Sequence, residues 1–71
     1  MRVRVRILTN GTRVRIRRPG PGERGLWLVA GRVVGSGRDD PAYDLRHTRS
    51  GRMRILRRSR LRLVRTPGRS Q

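Results

Sequence analysis

The side chains that could carry acid–base or metal chemistry are few in this sequence. His47 is the only histidine, there is no cysteine, and the carboxylates are Glu23, Asp39, Asp40 and Asp44. Catalysis or metal binding needs several such groups to converge, but three of the acids lie in or beside turn-rich segments, where aspartate is a common turn residue. The sequence has no Walker-type glycine loop and no zinc-ligand spacing. We therefore predict no enzymatic activity, no metal, no cofactor and no small-molecule substrate.

Two of these residues have predicted structural roles. Asp44 falls in a segment with strand character, and we expect it to pair with an arginine on a neighbouring strand. His47 is expected to pack beside Met53, its predicted partner in a hairpin.

The sequence is rich in one chemically useful side chain, the guanidinium group of arginine. All 20 basic residues among the 71 are arginines, and against 4 acidic residues they give a formal net charge of +16. GC-rich codon usage explains arginine in place of lysine, but it does not explain the shortage of acids. Self-repulsion at this charge density destabilises a compact state, and a polyanion relieves it. Nucleic acid, either DNA or RNA, is therefore the predicted partner.

Length and hydropathy restrict the class of protein further. A chain of 71 residues makes one small domain with a limited core. The longest apolar run, "LWLVA" at residues 26–30, is far shorter than the ~20 residues of a membrane-spanning helix. The N-terminal segment alternates arginine with aliphatic residues, unlike a secretory signal. We expect no membrane association and an intracellular location, in the cytoplasm or nucleoid, or in the virion if the gene belongs to a phage.

Arginine and aliphatic residues alternate over residues 3–18, and a period of two predicts β-strands. Asn10-Gly11 interrupts the alternation and is a strong signal for a two-residue hairpin turn, because both residue types tolerate positive φ. The turn would produce three cross-strand pairs: Thr9 with Thr12, Ile7 with Val14, and Val5 with Ile16. The opposite face would then gather five arginines: Arg4, Arg6, Arg13, Arg15 and Arg17.

The rest of the chain also divides into short strands. The segment "RPGPGERG" predicts an exposed loop, and residues 26–35 predict a buried central strand with a bulge at Gly31. A second hairpin is predicted around Arg49-Ser50-Gly51, with Gly51 in the left-handed conformation. It would pair Leu45 with Ile55 and His47 with Met53. Residues 57–64 then predict a tight turn and a short closing strand.

Residues 53–64 also permit a helical interpretation. Met53, Leu56, Leu63 and Val64 can share one stripe of a helix, and arginine is a good helix former. An arginine-rich recognition helix is therefore the alternative for this segment. Strand alternation is favoured because a helix would leave Ile55 and Leu61 outside the stripe.

Together these elements predict an all-β fold, a small five-stranded SH3-like barrel built from two hairpins and a central strand. The domain is predicted to cover residues 1–65 and the barrel to be closed or partly closed, which would remove exposed sheet edges. Residues 66–71 are predicted to form a disordered tail.

Three motifs resemble a known family. The segments "GTRVRI", "WLVAGRVV" and "PAYDLRHTRSGRMRILRRSRLR", within residues 11–64, are similar to the small SH3-like barrels at the C-terminus of long-terminal-repeat retroelement integrases. The shared order is a glycine opening a basic strand, a tryptophan before "G-x-V-V", a strand beginning at tyrosine, and an arginine-rich ending. The resemblance implies an SH3-like fold and DNA binding.

The predicted mechanism is neutralisation of phosphates by arginine, with little sequence preference. Trp27 and Tyr43 are the only aromatic residues; Trp27 is expected to fill the core, with stacking of either ring on bases as the alternative. The candidate binding residues are the arginines of the first face, Arg4, Arg6, Arg13, Arg15 and Arg17, and a second cluster, Arg54, Arg57, Arg58, Arg60 and Arg62. A structural component of a phage virion or ribonucleoprotein, docking on nucleic acid or an acidic protein partner, is the alternative function.

Overall fold

A computed structural model of the chain describes residues 7–64 and shows an all-β fold. Its strands are β1 (Arg13–Ile16), β2 (Trp27–Arg32), β3 (Ala42–His47), β4 (Met53–Arg57) and β5 (Leu61–Leu63), with one turn of 3₁₀-helix at Arg58–Arg60 between the last two. All pairs are antiparallel, in the order β4-β3-β2-β1-β5. The all-β prediction is confirmed, and the helical alternative for residues 53–64 is wrong.

The sheet is not closed into a barrel. β4 and β5 stand at the two ends of the strand order, and within residues 7–64 no hydrogen-bonded ladder joins them. The described residues fall inside the predicted domain of residues 1–65, whereas the predicted tail at residues 66–71 lies outside the described part of the chain.

Strand β1 shows the predicted alternation. Val14 and Ile16 are buried, whereas Arg13 and Arg15 are exposed. A strand with this pattern has one face against the core and one face in solvent. We call these the core face and the outward face of the sheet, and every residue directly opposite another across two strands lies on the same face.

The Asn10-Gly11 turn forms, but the hairpin predicted around it is wrong. Gly11 has a φ of +90°, and the Thr12 N–H donates to the Thr9 carbonyl over 3.1 Å. Val14, however, lies between Trp27 on β2 and Leu63 on β5, so Ile7 cannot pair with it. Ile7 is instead 61% exposed. The predicted pair of Val5 and Ile16 cannot be assessed, because Val5 lies outside the described range. Arg4 and Arg6 of the predicted arginine face also lie outside it.

Burial of large side chains explains this choice of partners. Both edges of β1 are occupied by strands that bring fully buried residues into the core: Trp27 and Val29 on β2, and Leu61 on β5. Apolar area removed from water stabilises a fold in proportion to its size. Pairing with β2 and β5 therefore buries more than pairing with the short aliphatic residues of a local hairpin.

The second hairpin forms with a register shifted by one residue from the prediction. Leu45 lies opposite Arg54 rather than Ile55, and the predicted pair of His47 and Met53 is wrong. A one-residue shift moves every side chain of a strand to the other face. Ile55 is therefore exposed, and Leu56 packs against the core.

The loop of this hairpin has four residues, 48–51, where the sequence predicted three. The His47 N–H donates to the Arg52 carbonyl over 2.8 Å, and the Gly51 N–H donates to the His47 carbonyl over 3.0 Å. Gly51 is in the left-handed conformation, as predicted, with a φ of +77°. The predicted bulge is also present, because the β2–β3 register shifts between Val29 and Gly31.

Gly11 and Gly31 allow a matched test of the turn. A side chain would meet open space at either position, but only Gly11 has a positive φ. Gly11→Val should lower the free energy of unfolding by more than about 1 kcal/mol, because a β-branched residue is strained at positive φ. Gly31→Val is the control and should be affected less. Urea unfolding monitored by tryptophan fluorescence measures both, and equal effects would contradict the role of φ.

Candidate nucleic-acid interface

Strands β1 and β5 bring together arginines from distant parts of the sequence. Arg15 lies directly opposite Arg62, and the same pairing continues past the strand ends, because the Arg17 N–H donates to the Arg60 carbonyl over 2.7 Å. We call this set the arginine ladder: Arg13, Arg15, Arg17, Arg60 and Arg62. The first three belong to the predicted first face, and the last two come from the predicted second cluster.

The outward part of this ladder carries charge that nearby carboxylates do not balance. Arg13, Arg15 and Arg62 are exposed, and no carboxylate of residues 7–64 lies within 4 Å of their guanidinium nitrogens. Like charges directly opposite each other on neighbouring strands are destabilising. The ladder is therefore a place where an added polyanion would lower the free energy of the protein.

One end of the ladder opens into a groove of about 540 Å³. Its walls combine the ladder with the start of the β1–β2 loop and the 3₁₀ turn: Arg15, Ile16, Arg17, Arg18, Pro19, Ser59, Arg60 and Arg62. Five of these eight residues are arginines. A cleft lined by one sign of charge concentrates its field and attracts the opposite sign.

Two arginines of the ladder are held in place by backbone carbonyls. Arg17 Nε donates to the Leu61 carbonyl over 3.4 Å, and Arg60 Nη2 donates to the Arg17 carbonyl over 3.1 Å. Arg60 Nη2 also lies 3.8 Å from Glu23 Oε1. These contacts fix the two side chains, and each guanidinium has five N–H donors, so part of each fork stays available for a phosphate.

The other arginines of the second cluster contact the protein itself. Arg54 Nε lies 3.7 Å from Glu23 Oε2, Arg57 Nη1 donates to the Asp40 carbonyl over 2.8 Å, and Arg58 Nη1 donates to the Leu61 carbonyl over 3.1 Å. Arg54 and Arg57 also belong to β4, at the opposite end of the strand order from β5. The strand order thus places Arg54 and Arg57 away from Arg62, but Glu23 lies within 4 Å of both Arg54 and Arg60 and connects the two parts of the cluster.

Both aromatic rings are enclosed. Trp27 and Tyr43 have exposed fractions of 0%, so neither presents a ring face to solvent. The polar atom of each ring is satisfied inside: Trp27 Nε1 donates to the Glu23 carbonyl over 2.9 Å, and the Tyr43 hydroxyl accepts from the Leu8 N–H over 3.0 Å. The core role expected for Trp27 is confirmed.

His47 connects three segments instead of packing beside Met53. Its ring lies edge-on to Trp27, with the ring centroids 4.8 Å apart. Nδ1 accepts from the N–H groups of Arg49 and Ser50, over 3.1 and 3.2 Å, and Nε2 is 2.9 Å from the Arg24 carbonyl. Because Nδ1 is an acceptor and Nε2 faces a carbonyl, the proton belongs on Nε2. This capping of the turn explains the four-residue loop, and its sequence signal is a histidine just before the turn.

The carboxylates hold loops together. Glu23 Oε1 accepts from the Gly20 N–H over 2.8 Å, which closes the turn in the β1–β2 loop.

Asp44 lies opposite Ile55, and no arginine nitrogen of residues 7–64 is within 4 Å of its carboxylate, so the expected ion pair is not among the described contacts. Within the same residues, no group of three histidine, cysteine or acidic side chains could hold a metal ion.

Asp40 binds the 3₁₀ turn between β4 and β5. Its carboxylate accepts from the Ser59 hydroxyl and the Ser59 N–H, both over 2.8 Å. These two hydrogen bonds, assisted by the charges of Arg57 and Arg58, hold the pKa of Asp40 below its ordinary value. The charged form of Asp40 therefore stabilises the turn that leads into β5.

No helix in the described part of the chain combines the length and apolar character needed to cross a bilayer. Comparisons with protein-family models, with curated proteins and with solved structures found no match to this chain. The resemblance to integrase C-terminal domains therefore stays a prediction.

Asp40 should make stability depend on acid pH. A group whose pKa is lowered by folding stabilises the folded state above its unfolded pKa, about 3.9 for aspartate, and that stabilisation is lost as the pH falls through the lower folded value. The stability advantage of the wild type over D40N should therefore be full at pH 6 and shrink below about pH 4. Thermal unfolding across this range measures it. D39N is the control. A stability advantage of the wild type over D40N that did not change with pH would contradict the role assigned to Asp40.

Arg60 and Arg62 should differ in what they contribute to the free protein. R60Q removes hydrogen bonds to the Arg17 and Arg18 carbonyls and should lower the free energy of unfolding by about 1 kcal/mol. R62Q removes one of two like charges that repel each other, because Arg62 lies opposite Arg15. It should leave the free energy of unfolding unchanged or slightly raised at low salt. Urea unfolding without nucleic acid tests this; a larger loss for R62Q than for R60Q would refute the division of roles.

Proposed function

We propose that this protein binds the phosphate backbone of nucleic acid through the arginine ladder, with little sequence preference. The observation that carries the proposal is the direct opposition of Arg15 and Arg62 on exposed strands. A fold that positions two like charges across a ladder gains from an anion between them. Guanidinium groups suit this role because they bind phosphate oxygens in a bidentate manner.

The composition of the ladder favours contact with the backbone over reading of bases. Hydrogen bonds to base edges come mainly from arginine, lysine, asparagine and glutamine projected into a groove. The single asparagine, Asn10, belongs to the turn before β1. Base stacking is disfavoured as well, because Trp27 and Tyr43 are buried. What remains is a row of arginines on the face of a five-stranded sheet. Because the major groove admits a helix or a two-stranded ribbon, arginines on a wider sheet contact phosphates, which fixes position on nucleic acid without reading its sequence.

The salt dependence of binding tests this proposal. Affinity for a short fluorescent DNA duplex should fall linearly on a plot of log K against log salt concentration, with a slope of about −0.9 for each phosphate contacted. R15Q and R62Q should each reduce the slope by about one unit, for two unrelated sequences alike. Fluorescence anisotropy at several salt concentrations provides the measurement.

R38Q is the matched control, because Arg38 is exposed and lies in the loop between β2 and β3. It removes the same charge outside the ladder and should change the slope less. If R38Q matched R15Q and R62Q, binding would reflect net charge and the ladder would not be the site. If the wild type showed no salt-sensitive binding to DNA or RNA, the positive charge would instead bind an acidic protein partner. That result would favour the alternative function, a structural component of a virion or ribonucleoprotein.

A further inference from the structure

The outward face of the sheet carries one arginine outside the ladder that the sequence did not single out, Arg46 on β3. Leu28 on β2 lies opposite Arg13 on one side and opposite Arg46 on the other, so the three residues form one row across β1, β2 and β3. Both arginines are exposed, and Leu28 between them is half-buried and uncharged. Arg46 makes no side-chain hydrogen bond or ion pair with residues 7–64.

Arg46 is separated from the ladder by a distance comparable with the width of a nucleic-acid groove. Neighbouring strands lie about 4.8 Å apart. Strand β3, which holds Arg46, is therefore about 10 Å from β1 and about 14 Å from β5, the two strands of the ladder. The grooves of a B-form duplex are about 6 and 12 Å wide and have a row of phosphates along each side. A single strand has one row of phosphates, which can lie on the ladder, whereas a duplex offers a second row that can reach Arg46.

The enclosed aromatic rings point to the same ligand. Proteins that prefer single strands stack bases on exposed aromatic side chains, but both members of the chain's aromatic set are fully buried. Binding must then depend on phosphate charge. A duplex carries one charge for about every 1.7 Å of its axis, and each of its strands taken alone carries one for about every 3.4 Å.

Asp44 limits this surface. It lies on the outward face of β3, opposite Gly31 and Ile55, two residues from Arg46. A phosphate next to its carboxylate would be repelled. The positive charge of β3 on this face is thus limited to Arg46, in the row that also contains Arg13.

We infer that the ligand of this face is a nucleic-acid duplex, with one strand on the arginine ladder and the other on Arg46. This inference rests on the proposed function, since it assigns a ligand class to the same face. Arg46 would then distinguish two strands from one. Residues of the ladder, by contrast, would contact either form.

Binding of oligo(dA)·oligo(dT) duplex and of oligo(dT) alone, by anisotropy over a range of salt, tests the inference. The wild type should bind the duplex more tightly. R46Q should reduce the duplex slope by about 0.9, which is about eightfold in affinity per tenfold change in salt, and should leave the oligo(dT) titration unchanged. R46K keeps the charge and should keep the wild-type slope, and thermal midpoints of the variants confirm that they are folded.

R62Q is the matched control and should weaken binding to both probes. The inference is overturned if oligo(dT) binds as tightly as the duplex, or if R46Q affects both probes equally or neither. In those cases, salt-sensitive binding that R62Q weakens would leave the proposed function standing. Absence of salt-sensitive binding to either probe would instead remove the proposed function and this inference together.

Discussion

Twenty arginines share this chain with four carboxylates, so ion pairing cannot engage most of the guanidinium groups. The described structure bonds several of them to backbone carbonyls in turns and at strand ends instead. A carbonyl in such a position has no partner in a sheet ladder and would otherwise depend on water. A charged donor makes a stronger hydrogen bond than a neutral one. The carbonyls bound in this way belong to Arg17, Arg18, Ser36, Asp40, Met53 and Leu61.

The same use of arginine protects the edges of an open sheet. The N–H and C=O groups of Leu61 point away from β1, because the carbonyl of its neighbour Arg60 accepts from Arg17, just past the end of β1. The Leu61 carbonyl accepts from both Arg17 Nε and Arg58 Nη1. At the other end of the sheet, Arg54 Nη1 donates to the Met53 carbonyl over 3.1 Å. Exposed edge groups are a template for unwanted strand pairing, and charged side chains over an edge oppose it. The arginines at the sheet edges therefore have a structural role, in addition to any role in ligand binding.

Local features of the fold could be predicted from the sequence, whereas its long-range partners could not. The alternation in β1, the Asn10-Gly11 turn and the bulge before Gly31 depend on residues close together in the chain. The partners of β1 depend on which distant strands bury Trp27 and Leu61, and a local hairpin signal carries no information about that competition. The one-residue error in the second hairpin is a local exception, because the ring of His47 caps the loop through the N–H groups of Arg49 and Ser50. For the candidate site, spacing identified Arg13 and Arg15 but could not separate Arg62 from arginines that contact carbonyls, and Arg46 gave no signal before its row was known.

The pairing of β1 with β5 joins Val14 to Leu63, near the two ends of the described chain. Contacts between residues so far apart in sequence form slowly, because the intervening chain must be ordered first. A ribosome must therefore release almost the whole described domain before this pair can form. Arg15 and Arg62 become neighbours only when β1 and β5 pair, so an anion that binds both of them would bind the folded state in preference to a chain without this pairing. By linkage, the concentration of such an anion would set part of the folding equilibrium, and the abundance of folded protein would rise and fall with it.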